Sequence, residues 1–159
     1  MKIAIIYYSY DGNCAMAANL LKDAAGADLF ELKPVKEKKR TGFAKYFWGG
    51  GQVIFKRRPA LKPLEADISS YDLIVLGTPV WAGFPSPAML SFLAQKRITG
   101  KKIALFCSYD GSSGKTFERL KALLPGNTMV GEMGLKSPAR AGSEAVKIQI
   151  EKWAKEIKA

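Results

Sequence analysis

Apolar positions fall into five short blocks, and the spacing between them switches repeatedly from strand to helix period. Ile3, Ala4, Ile5, Ile6, Tyr7 and Tyr8 run without alternation, the pattern of a parallel strand covered on both faces. Turn formers follow from Ser9 to Asn13, and Ala17, Leu20, Leu21 and Ala24 then mark the buried stripe of a helix. Residues 27–32 alternate polar and apolar, predicting a half-exposed edge strand. Asp72 to Gly77 predicts the third strand, with residues 78–85 as its exit loop. Ser86 caps the next helix, Pro87 takes its first position, and Met89, Phe92 and Leu93 form its inner face. Ile103 to Cys107 predicts the fourth strand, with residues 108–114 as its exit loop and Phe117, Leu120 and Leu124 on a helix stopped by Pro125-Gly126. Thr128 to Met133 reads as a weaker edge strand. The last helix starts near Ser143, with Val146, Ile150, Trp153, Ala154 and Ile157 on one stripe.

Five strands alternating with helices predict an α/β protein with a doubly wound parallel sheet. The 159 residues suffice for a single domain with a full core. Residues 33–66 lack clean periodicity, and a right-handed crossover there calls for helix, assigned to Phe43–Trp48 and Gln52–Lys56.

Charge changes the picture of that segment. Ten basic residues lie between Lys33 and Lys62 against Glu37 alone, so thirty residues carry +9 of the net +11. Phe43, Phe47, Trp48, Ile54 and Phe55 are interleaved with Lys45, Lys56, Arg57 and Arg58. Three readings stay open: a solvated face, a dock for an acidic partner, or contact with an anionic surface. Tyr46, Phe47 and Trp48 could equally cover a ligand or line a dimer seam. Nothing resembles a groove-reading motif, so sequence-specific nucleic-acid binding is not expected.

The chain contains no histidine, which excludes a Ser-His-Asp triad and histidine metal ligation. Redox or group-transfer chemistry would then fall to a bound cofactor. Cys14 and Cys107 have neither CxxC nor metal-ligand spacing and read as reduced thiols, with no metal site. Cys14, at a helix N-terminus, is expected to have a lowered pKa and to be the more reactive. The direct start into strand pattern and the absence of an apolar run near the ~20 residues needed to span a bilayer predict a cytoplasmic protein.

In doubly wound sheets ligands bind at the carboxyl ends of the strands. Three predicted loops end there. The first, Ser9-Tyr10-Asp11-Gly12-Asn13-Cys14, opens a helix and offers a phosphate unpaired N–H groups and the positive end of the helix dipole.

At these loops the chain resembles the flavodoxin family, over nearly its whole length. The family's phosphate loop reads Ser/Thr-x-Thr-Gly-x-Thr; Ser9, Gly12 and Asn13 fit it, while Asp11 and Cys14 stand in place of threonines. A carboxylate repels a phosphate, and Asp11 reads more readily as a helix cap or solvated group than as a proton carrier. Thr78, Pro79, Val80, Trp81, Ala82 and Gly83 are similar to the loop that wraps the FMN ring, with Trp81 able to stack and Gly83 to bring backbone to the ring edge. Ser108, Tyr109, Asp110 and Gly111 match the third loop, with Tyr109 as a second stacking residue.

The resemblance implies a five-stranded sheet in the order 2-1-3-4-5, FMN as cofactor, no catalytic side chain, and electron transfer between redox partners. A nicotinamide-dependent flavin or quinone reductase and a module that has lost flavin are the alternatives. The basic balance, opposite to that of acidic flavodoxins, predicts a less negative second reduction potential and an acidic redox partner.

Overall fold

The computed structural model describes residues 1–37 and 58–159. The helices expected at Phe43–Trp48 and Gln52–Lys56 lie outside the described residues. The elements in chain order are β1 (Ile3–Tyr7), α1 (Asn13–Ala25), β2 (Asp28–Glu31), a 3-10 turn (Ile68–Ser70), β3 (Leu73–Trp81), β4 (Phe84–Pro85), α2 (Pro87–Gln95), β5 (Lys102–Tyr109), α3 (Thr116–Ala122), β6 (Thr128–Lys136), α4 (Pro138–Ala141) and α5 (Ser143–Lys158).

Five parallel strands stand in the order β2-β1-β3-β5-β6, with β4 paired antiparallel to β3 off this path. This is the expected order, with one short strand added by a hairpin that the sequence reading took for loop. The cause is Ala82-Gly83: both have positive φ, 53° and 77°, as a two-residue turn of the I′ kind requires, so β3 continues to Trp81 and folds back.

β1 shows why its run has no alternation. Ile3, Ile5 and Tyr7 pack with Ala17, Leu21, Ile150 and Trp153 on the α1 and α5 side. Ala4, Ile6 and Tyr8 pack with Met89, Phe92 and Leu120 on the α2 and α3 side. Each face needs its own apolar set, so every position is apolar. α5 buries the predicted stripe of Val146, Ile150, Trp153, Ala154 and Ile157.

α2 begins as expected: Ser86 Oγ accepts the Met89 N–H at 3.3 Å and Pro87 holds the first helical position. α3 ends at Ala122, before Pro125-Gly126, because Leu123 and Leu124 close tighter turns onto Leu120 and Lys121. The two described ends of the basic segment are stitched together. Val35 N–H donates to Ala60 O at 2.8 Å, Lys62 N–H to Lys33 O at 2.7 Å, and Pro34 bridges Leu61.

Candidate functional site

The carboxyl ends of β1, β3 and β5 lie side by side, and each sends out one of the predicted loops. After β1, Gly12 takes a left-handed φ of 96° as the N-cap of α1, a conformation open to glycine at no steric cost. Ser9 Oγ accepts the Ala15 N–H at 3.1 Å, and Met16 N–H donates to Gly12 O at 2.9 Å. Asp11 Oδ1 accepts the Asn13 N–H at 3.2 Å, so the carboxylate caps the helix start. Among the described residues no acceptor is found for the N–H of the buried Cys14 in the first turn of α1.

The loops hold one another. Cys14 Sγ lies 3.1 Å from Ser108 Oγ, joining the first loop to the third. Trp81 presents itself edge-on to Tyr8 and Tyr10, with centroid separations of 5.9 and 5.5 Å, joining the second to the first. A Cβ on Gly114 would come within 2.7 Å of Gly83 Cα, so the hairpin turn and the third loop meet backbone to backbone. Ser137 N–H donates to Tyr109 O at 2.7 Å, Ser137 Oγ–H to Asp110 Oδ1 at 3.1 Å, and Ala139 N–H to Asn13 Oδ1 at 3.2 Å. Through these bonds the turn into α4 clasps the first and third loops.

The sixteen residues read from the sequence therefore converge on one edge, but not all turn the same way. Thr78 is fully buried; its hydroxyl accepts the Ser86 N–H at 2.9 Å and lies 3.0 Å from Ser86 Oγ, so it clips the hairpin. Pro79 and Ser108 are buried within β3 and β5, Tyr10 is buried beneath Trp81, and Val80, Trp81 and Tyr109 are half-buried. Asp11, Gly12, Ala82, Asp110 and Gly111 are exposed at the rim, with Ser9, Asn13 and Gly83 partly covered.

One expectation is corrected. Cys14 is 1% exposed, and burial pushes its thiol up to about 12, outweighing the hydrogen bonds from Ser108 that pull the other way. The helix end that was expected to activate it cannot offset the loss of water. Cys107 is likewise buried and pushed up to about 12.

The structure adds residues that motif reading missed. Glu37 accepts a hydrogen bond from Tyr8 beside Trp81, placing the root of the basic segment at this edge. Arg140 on α4 follows Ala139, whose amide meets the first loop. The Arg119 guanidinium lies 3.4 Å over the Phe84 ring and supports the hairpin from α3. Their only sequence signals were isolated charges, and nothing local marks which fold partner such a charge will meet.

The family profile described as flavodoxin matches residues 2–155. The chain belongs to the flavodoxin family. Solved structures agree with this flavodoxin fold. A Lactobacillus acidophilus flavoprotein in complex with FMN is 23% identical, with a TM-score of 0.72 over 88% of this chain and 97% of its own. A Bacteroides eggerthii protein assigned as a flavoprotein is 25% identical, with a TM-score of 0.77 over 94% and 96%. The Megasphaera elsdenii flavodoxin in its two-electron reduced form is 22% identical, with a TM-score of 0.61 over 99% of each chain. No curated protein matches. Among the described residues no helix is long and apolar enough to cross a membrane, and no acidic or cysteine cluster could hold a metal ion.

Proposed function

We propose that this flavodoxin binds FMN at the three-loop edge and carries electrons between redox partners. The observation that carries this is the mutual bonding of the loops after β1, β3 and β5, which builds one preformed cleft edge. The residues present fit the group. The left-handed Gly12 and the α1 dipole suit a phosphate. The close approach of Gly83 and Gly114 leaves bare backbone where a flat ring edge can come near.

Ser9, Gly12 and Asn13 hold the phosphate end, Trp81 and Tyr109 flank the ring, and Gly83 offers backbone to its edge. FMN, when bound, supplies the one- and two-electron chemistry. The chain's own part is to orient the ring, keep water from it and set its electrostatic surroundings. No side chain is assigned as acid or base.

The roots of the basic segment support a second element of the proposal. Lys36 and Glu37 lie beside Tyr8 and Trp81, so cationic residues begin at the cofactor edge. Positive charge there favours the added electron and makes the second reduction potential less negative than in an acidic relative. The same face suits an acidic redox protein, in the cytoplasm, with salt-sensitive docking.

The decisive experiment is spectroscopic. Purified protein should show flavin absorption bands, and heat should release a ligand identified as FMN. Colourless protein that takes up no added FMN would leave a flavodoxin-fold module without flavin. Turnover with NADPH or NADH alone, with no separate reductase, would instead assign a reductase.

A further inference from the structure

The opposite edge of the sheet holds a cleft of about 400 Å³, bordered by the 3-10 turn before β3, the C-terminal end of α2 and the start of β5. That volume lies within the range of small-molecule sites, roughly 300–1,000 Å³. Its walls are fixed by polar bonds. Lys101 Nζ donates to Ser69 O at 2.6 Å and Tyr71 O at 2.8 Å, tying the turn to β5. Asn127 accepts the Lys101 N–H at 3.0 Å and donates to Ile98 O at 2.8 Å, tying the same point to the chain after α2.

The charges in this cleft do not cancel. Lys96, Arg97 and Lys101 face Asp67 alone, with Lys2 acting on Asp67 from the start of β1. The Asp67 carboxylate is engaged by the Ser69 N–H at 3.1 Å and the Ser69 hydroxyl at 2.5 Å. Among the described residues the side chains of Lys96 and Arg97 have no hydrogen-bond or ion-pair partner. The C-terminal dipole of α2 accounts for about half a charge, less than either cation carries. Lys101 has one N–H left after its two carbonyls, and Thr99 adds a hydroxyl. The half-buried Ile68 supplies an apolar surface beside these donors.

We propose that this cleft is a second binding site, for a small phosphate ester whose anionic group meets Arg97, Lys96 and Lys101 and whose organic part lies on Ile68. A guanidinium offers paired donors that match phosphate oxygens, and an ammonium adds a compact charge. The site is separate from the three-loop edge and does not depend on the cofactor assigned there.

The test is amide NMR on the full chain titrated with adenosine monophosphate and with inorganic pyrophosphate, adenosine serving as the uncharged control. The expected result is saturable shifts at Ser69 and Ile98 to Lys101 with both anions and none with adenosine. Lys96→Gln combined with Arg97→Gln should weaken that binding at least tenfold. Lys152→Gln with Lys155→Gln, which removes two exposed charges from α5, should leave it within twofold. Equal losses in the two double variants would reduce the effect to net charge and overturn the proposal. So would shifts confined to residues 9–14 and 108–114, or the absence of saturation.

Discussion

The Tyr8 hydroxyl donates to the Glu37 carboxylate, joining the end of β1 to the single acidic residue between Lys33 and Lys62. Burial, and after it the Glu37 hydrogen bond and charge, pushes the Tyr8 phenol well above its ordinary value. Tyr8→Phe removes the donor, and unfolding in urea should show a loss of about 1–2 kcal/mol. Glu37→Gln, which keeps an acceptor, should lose less. A group with a raised folded pKa contributes stability in full below its unfolded value, here about 10, and loses it as pH rises further. Wild type should therefore weaken above about pH 10 more than Tyr8→Phe does. Identical midpoints in all three proteins would show that the contact contributes nothing.

The thiols give a second pH signature. Both are pushed up to about 12 in the folded chain, against about 8.5 when unfolded. The sign is the same as for Tyr8: their contribution is whole below about pH 8.5 and declines as pH climbs toward 12. At about pH 8 an aromatic disulfide reagent should label neither Cys14 nor Cys107 in native protein, and both once urea unfolds it. Rapid labelling of Cys14 without urea would mean that the first loop opens locally.

Asp11 competes with any phosphate for the first turn of α1, since its carboxylate takes the Asn13 N–H. Asp11→Asn keeps a capping oxygen and removes the charge. FMN affinity measured by fluorescence quenching should rise about tenfold at low ionic strength, and less in high salt. An unchanged or weaker affinity would show that the carboxylate turns away when the ligand arrives.

Ala82 occupies a left-handed φ of 53° at the hairpin tip, where an alanine Cβ costs about 1 kcal/mol. Ala82→Asn should stabilise the protein without FMN by about 0.5–1 kcal/mol, read from urea midpoints. A loss of stability would show that the strain is relieved by contacts of the turn.

The sheet was legible because each face demands its own periodicity. β1 packs apolar side chains both ways, and α5 packs one stripe, so the five parallel strands and their alternation with helices followed from spacing, while the strand order came with the family resemblance. The β3–β4 hairpin was hidden because its turn is Ala82-Gly83 rather than Asn-Gly or Asp-Gly, and the run Thr78 to Trp81 carries a proline that argues against strand. The site was legible as three loops but not as directions of side chains. Thr78 turns its hydroxyl to Ser86 and burial raises the Cys14 thiol, and neither direction is encoded in the loop sequences. Glu37 gave no local signal, because its partner lies 29 residues away in sequence.

The paired strands of chain at Lys33–Val35 and Ala60–Lys62 close a neck before the intervening residues begin. These cross-links hold the two arms in one register and so fix the path by which Glu37 reaches Tyr8 and Trp81.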